Sequence, residues 1–157
     1  SEPGRGSIFH VYLPRVQDRP KTQSDSAVMP TFSGSERILL VEDNASVRVF
    51  VAQGLRSHGY TVTDLPDPHE ALQLPTGEAI PDLLLTDMIM PGMNGRELAR
   101  SLRARWPRMR VVYMSGYTED VALREGRVEP GAGFIAKPFD FADLLRRIRK
   151  TLARTDG

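Results

Sequence analysis

Three acids, one hydroxyl and one amine stand directly behind short apolar runs in this chain. Glu42 and Asp43 follow Ile38-Leu39-Leu40-Val41. Asp87 follows Leu83-Leu84-Leu85-Thr86, Ser115 follows Val111-Val112-Tyr113-Met114, and Lys137 follows Phe134-Ile135-Ala136. Taken singly, each has an ordinary explanation. Acids before a helix answer its dipole, and Ser115-Gly116 and Lys137-Pro138 read as turns. Their coincidence at successive run ends points instead to one shared cleft. Carboxylates gathered there repel one another and push up one another's pKa. A hard divalent cation relieves the repulsion. Mg2+ suits the set, because it takes one or two carboxylates, keeps several waters and accepts phosphate oxygens. An Asp carboxylate can attack phosphorus as a nucleophile. Lys137 offers a point charge for phosphoryl oxygens, and the Ser115 hydroxyl can donate to another. Phosphoryl transfer needs charge neutralisation and in-line placement more than further covalent help. The set therefore reads as a phosphoryl-acceptor site centred on Asp87.

Such convergence requires the runs to be parallel neighbours. Their length and apolar composition make them buried strands. Helical patterns lie between them. Val47, Phe50, Val51 and Leu55 fall at helical spacing, with Asn44 as an N-cap and Gly59 near the end. Tyr60 to Thr63 reads as a strand and His69 to Leu74 as a short helix. Leu98, Leu102 and Trp106 mark a helix that stops before Pro107. Glu119 to Glu125 reads as another short helix. Phe141, Leu144, Leu145, Ile148 and Leu152 form a strong apolar stripe, with Asp140 placed to cap it. Strands alternating with helices predict an α/β fold, and strands that are apolar throughout predict a parallel sheet covered on both faces. The expected architecture is a doubly wound, flavodoxin-like sheet of five strands in the order 2-1-3-4-5, which opens its site at the carboxyl ends of the strands.

Composition removes other chemistries. The 157 residues include no cysteine, so disulfide scaffolds, thiolate zinc sites and Cys nucleophiles drop out. His10, His58 and His69 are too scattered for a His-rich metal site. The net charge is +1, so no global field favours nucleic acid or an anionic membrane. The basic residues Arg146, Arg147, Arg149, Lys150 and Arg154 read as a solvated helix face near a favourable C-terminal dipole. No apolar run approaches the ~20 residues of a membrane helix, and no export signal opens the chain. A cytoplasmic setting is expected, with no membrane segment and no direct contact with nucleic acid. Residues 1–35 differ in composition: Ile8 to Leu13 forms a strand-like island, and residues 18–35 are polar and turn-rich, as a flexible linker would be.

With these residues in place, the sequence resembles the receiver domain of two-component signalling over about Glu36 to Arg154. The resemblance is carried by Val41-Glu42-Asp43-Asn44, by Thr86-Asp87-Met88-Ile89-Met90-Pro91-Gly92-Met93-Asn94-Gly95, by Met114-Ser115-Gly116-Tyr117 and by Phe134-Ile135-Ala136-Lys137-Pro138-Phe139. It implies phosphorylation at Asp87. It implies Mg2+ held by Asp43, Asp87 and the Ile89 carbonyl, with Glu42 acting largely through water. It implies that Lys137 pairs with the phosphoryl group and that the Lys137–Pro138 peptide is cis. Ser115 and Phe134 are implied as a switch pair, the hydroxyl moving toward phosphate and the aromatic turning inward; Phe134 also suits a plain core role. Ile89 and Tyr117 stand where many receivers carry polar residues, and their bulk predicts slow loss of phosphate.

The amino-terminal stretch Pro3 to Pro14 is similar to the last strand of the ATP-binding domain of sensor histidine kinases. Residues 1–17 are then a remnant of that domain, 18–35 a linker and 36–155 the receiver, together the tail of a hybrid histidine kinase. The implied phosphodonor is a phosphohistidine on a histidine kinase or a histidine phosphotransfer domain, including that of the parent chain. The fragment itself is expected to accept phosphate rather than turn over substrate. Three competing readings are weaker. An Asp-nucleophile phosphatase needs an acid two residues after its nucleophile, where Ile89 stands. A nucleotide-binding Rossmann domain needs a glycine-rich turn where Glu42-Asp43-Asn44 stands. A receiver-like module that is never phosphorylated has no use for the intact set.

Overall fold

Alternate residues of each apolar run feed opposite faces of one sheet, which is why the runs are apolar throughout. In the first strand, β1 (Arg37–Val41), Leu39 and Val41 join one core cluster while Ile38 and Leu40 join another. All of these residues are essentially fully buried. The computed structural model describes residues 33–75, 77, 80–116 and 131–154, all within one unit, Phe32–Gly157. Along it run β1, α1 (Ala45–Ser57), β2 (Thr61–Leu65), α2 (Pro68–Leu72), β3 (Leu83–Asp87), α3 (Gly95–Arg105), β4 (Arg110–Ser115), β5 (Gly133–Ala136) and α4 (Phe141–Leu152). The five described strands form one parallel sheet in the order β2-β1-β3-β4-β5, as the alternation predicts.

Each face is covered by its own helices. Leu98, Ala99 and Leu102 of α3 pack with Leu39, Leu84, Val111, Tyr113 and Phe134. Val51 and Leu55 of α1, with Leu144, Leu145 and Ile148 of α4, pack with Ile38, Leu40, Leu85, Val112 and Met114. Burying one such aliphatic side chain contributes roughly 1.5–3 kcal/mol relative to exposure, so the central strands are the fold's anchor and the sheet ends are fixed in place. Trp106 ends α3 and is buried beside the start of β4, with the Arg105 guanidinium 4.9 Å from its ring centre.

Helix starts follow their sequence signals. Asn44 caps α1 by accepting from the Ser46 and Val47 N–H groups. Asn94 and Glu97 form a reciprocal capping box at α3. Three local expectations shift. The second strand runs Thr61–Leu65 rather than Tyr60 to Thr63, and Tyr60 is buried just before it. The second helix begins at Pro68, capped by Asp67, and ends at Leu72 instead of Leu74. Pro75 disfavours helical backbone at Leu74, and the Arg105 guanidinium takes the Leu72 and Leu74 carbonyls at 2.6 and 2.5 Å. Asp140 sits at the cap position of α4, yet its side chain makes no capping bond. Its carbonyl accepts from the Asp143 and Leu144 N–H groups at 3.0 and 3.2 Å, and its exposed carboxylate is left to solvent. The Ile8 to Leu13 island, the linker up to residue 32, Tyr117 and the helix expected over Glu119 to Glu125 lie outside the described residues.

Candidate functional site

Parallel register brings the run ends to one edge. Val41 pairs with Thr86, Asp87 with Met114, and Ser115 with Ala136. Glu42 therefore lies level with Asp87, and Lys137 stands two residues beyond Ile135, the β5 residue in register with Asp87 through Met114. Strand alternation also puts them on one side. Glu42 continues the Ile38, Leu40 series, Asp87 the Leu83, Leu85 series, and Lys137 follows Ile135, all on the face covered by α1 and α4.

The side chains meet. The Lys137 ammonium donates to Asp87 Oδ2 at 2.7 Å and to Glu42 Oε2 at 2.7 Å. Carboxylate oxygens of Glu42, Asp43 and Asp87 all lie within 4.8 Å of one another. Glu42 is buried, Asp43 exposed and Asp87 half-buried. The second oxygen of Glu42 accepts from the Asn44 N–H at 3.3 Å, and the second oxygen of Asp87 from the Ile89 N–H at 3.2 Å. Ile89 projects its side chain into solvent, at 59% exposure. The Lys137–Pro138 peptide is cis, and the Lys137 N–H bonds the Ser115 carbonyl at 2.6 Å. Ser115 is fully buried at the end of β4.

Phe134 is buried too and pairs with Tyr113. Both belong to the cluster on the α3 side of the sheet, the side that Ser115 follows by alternation. Hydroxyl and aromatic thus share one face and adjacent strands.

Electrostatics follow from burial. Desolvation pushes the Glu42 carboxyl above its ordinary 4.5; the hydrogen bond and charge of Lys137 pull the other way, while the charge of Asp87 adds to the rise. For Lys137, burial lowers the ammonium pKa. The hydrogen bonds and charges of Asp87 and Glu42 outweigh it, so the net shift is upward from 10.5. The ammonium stays charged and neutralises two acids at once.

Close packing beneath Asp87 restricts its backbone. The Gly95 N–H bonds the Met88 carbonyl at 3.1 Å, and a Cβ on Gly95 would fall inside van der Waals contact of the Asp87 carbonyl oxygen. Only glycine fits the start of α3 this close to the strand end.

One residue of the site escapes the sequence reading. The Arg48 guanidinium donates to the Glu42 carbonyl at 2.7 Å and to the Asp43 carbonyl at 3.3 Å. A signal for it exists in the sequence. Arg48 lies in the first turn of α1, where a cation opposes the helix dipole, and no acid shares that turn.

These residues can do three things: bind a hard cation through clustered oxygens, present an Asp87 oxygen to an electrophile, and meet its negative charge with Lys137. A family model described as the response regulator receiver domain matches residues 38–149. The sensor kinase CckA of Brucella abortus is 34% identical over 99% of this chain, which spans 18% of that protein. Sporulation initiation phosphotransferase F of Bacillus subtilis is 30% identical over 75% of this chain and 94% of its own length. Among solved structures, the receiver domain of the hybrid histidine kinase CckA superposes with a TM-score of 0.63 at 36% identity, covering 74% of this chain and 98% of that one. The Thermotoga maritima response regulator TrrA, solved in complex with Mg2+ and BeF, gives 0.61 at 25% identity, covering 74% of this chain and 98% of that one.

Proposed function

Because the chain belongs to the response regulator receiver family, we propose that Asp87 is its phosphoacceptor, taking the group from a phosphohistidine and so relaying a two-component signal. The observation that carries this assignment is the Lys137 ammonium seated at 2.7 Å on Asp87 and Glu42, beside the three clustered carboxylates. In the transfer, an Asp87 oxygen forms a bond to phosphorus as the phosphorus–nitrogen bond breaks, and the electron pair leaves with the imidazole nitrogen. Lys137 exchanges a carboxylate oxygen for a phosphoryl oxygen, and the Ser115 hydroxyl donates to a second. Phe134, on the same face as Ser115, carries the change into β4 and β5.

Receiver domains generally bind Mg2+ at an acidic pocket, and the oxygen donors here fit that ion. Glu42, Asp43 and Asp87 would hold it together with the Ile89 carbonyl, and once bound it would supply positive charge for the phosphoryl oxygens. The bulk of Ile89 at the site's mouth is proposed to slow attack by water, and with it loss of phosphate. Similarity to a CckA sensor kinase runs over nearly the whole chain, residues before the fold included. That extent supports a receiver drawn from a hybrid histidine kinase, with its phosphodonor on a histidine kinase or a histidine phosphotransfer domain.

Incubation with acetyl phosphate and Mg2+, followed by intact-mass measurement, tests the assignment. One added phosphoryl group is expected on the wild type and none on Asp87→Asn. Equal labelling of the variant would move the acceptor elsewhere.

A further inference from the structure

The Glu42–Asn44 loop is tied down on every side, and one side chain supplies two of the ties. The Glu42 N–H bonds the Leu65 carbonyl of β2 at 3.2 Å. Asn44 closes the far end by capping α1 and by donating its N–H to Glu42 Oε1. Between these points the Glu42 and Asp43 carbonyls accept from a single guanidinium nitrogen of Arg48, at 2.7 and 3.3 Å. The Arg48 side chain is only 16% exposed, and its Nε lies 4.0 Å from Asp64 Oδ2 on β2. Asp64 is itself held by Arg56 at 2.6 Å. The guanidinium therefore stands between the β2 strand and the backbone of the acidic loop.

Resting on the reading that Glu42, Asp43 and Asp87 take Mg2+, we infer that Arg48 is a positioning residue for that ion: by bridging two successive carbonyls it fixes the peptide that carries the Asp43 carboxylate. Asp43 is exposed, and no side-chain hydrogen bond orients its carboxylate among the described contacts. Its placement depends on its backbone, so the carbonyl clamp sets where the oxygen waits for the ion. Groups that hold a metal ligand in place without touching the metal have large effects on affinity, roughly 10–100-fold.

The same guanidinium also has an opposite electrostatic effect. A positive charge against the backbone of the acidic loop, only partly offset by Asp64, repels a cation, so its charge alone weakens Mg2+ binding. Positioning and charge therefore predict opposite signs for one substitution. Arg48→Ala removes both. If positioning dominates, Mg2+ affinity falls. If charge dominates, it rises. Arg48→Lys keeps the charge but replaces the planar fork with a flexible point donor. Positioning then predicts a loss at least as large as for alanine, whereas charge alone predicts no change.

Titration calorimetry of the 157-residue chain with MgCl2 alone reads the result, with circular dichroism to confirm that each variant keeps its fold. About tenfold weaker binding is expected for Arg48→Ala, the lower end of the range because the Asp43 carbonyl is open to water. Arg48→Lys should be as weak or weaker. Unchanged or tighter binding by Arg48→Ala overturns the inference, and so does wild-type affinity in Arg48→Lys. If one variant unfolds, the other decides. If both unfold, the role is structural and the inference fails. No binding by the wild type would remove the Mg2+ reading itself, an outcome separable from the rest.

Discussion

Replacing Lys137 by methionine keeps most of the side-chain stem and removes the charge that two acids share. Glu42 suffers most, because its side chain is 1% exposed and would keep a single backbone N–H as partner. Breaking a fully buried pair costs about 3–5 kcal/mol, while an exposed pair is worth at most about 1 kcal/mol. Here one acid is buried, the other is 15% exposed and the ammonium 23% exposed. The expected loss at pH 8 lies between those limits, at about 2 kcal/mol.

The loss should depend on pH with a defined sign. The folded pKa of Glu42 is already raised above 4.5. Its contribution to stability is fully present below that ordinary value and is lost as pH rises through the folded one. Without Lys137 the rise is larger, so more of the penalty disappears on acidification. Urea unfolding of wild type and Lys137→Met, in EDTA at pH 8 and again at pH 5, measures the difference at each pH. It should be largest at pH 8 and shrink at pH 5. Adding Glu42→Gln should recover most of it, since no buried charge is then left alone. Equal stability at pH 8, a gap that widens on acidification, or no recovery in the double variant would refute the reasoning.

Two further outcomes follow from the same cleft. Asp43→Asn should weaken Mg2+ at least about tenfold by calorimetry. Because Asp43 is exposed, relief of repulsion in the metal-free fold should stabilise it only slightly, by up to about 0.5 kcal/mol in urea; a marked fall in stability would contradict a crowded acidic edge. Gly95→Ala should cost about 1–3 kcal/mol by forcing the start of α3 away from the Asp87 carbonyl, and it should slow phosphorylation by acetyl phosphate. Unchanged stability and rate would mean the contact relaxes freely.

Legibility differed by kind of signal. The sheet could be read because Ile38 to Val41 and Leu83 to Leu85 are buried on both faces, and only a parallel, doubly covered sheet asks for that. The cleft followed from the fold, since Glu42, Asp87 and Lys137 are each the first polar residue after such a run on the same side. What sequence could not fix was anything decided by a distant partner. Where the Leu72 and Leu74 carbonyls find a donor is one case, since Arg105 lies more than thirty residues away. Asp140 has the right type for a side-chain cap, but the backbone alone makes the turn. Arg48 binds backbone oxygens, which have no residue signature. Only its unfavourable place at a helix start hints at a task.

The chain's lone tryptophan lies at the end of α3, just before β4 begins, while the clustered carboxylates lie at the opposite, carboxyl edge of the sheet. Indole emission will therefore serve as a faithful thermometer of global unfolding and stay nearly blind to events at the acidic edge. A fluorophore meant to watch the ion arrive has to be engineered near α1 instead, and a silent emission spectrum on adding magnesium says nothing against its binding.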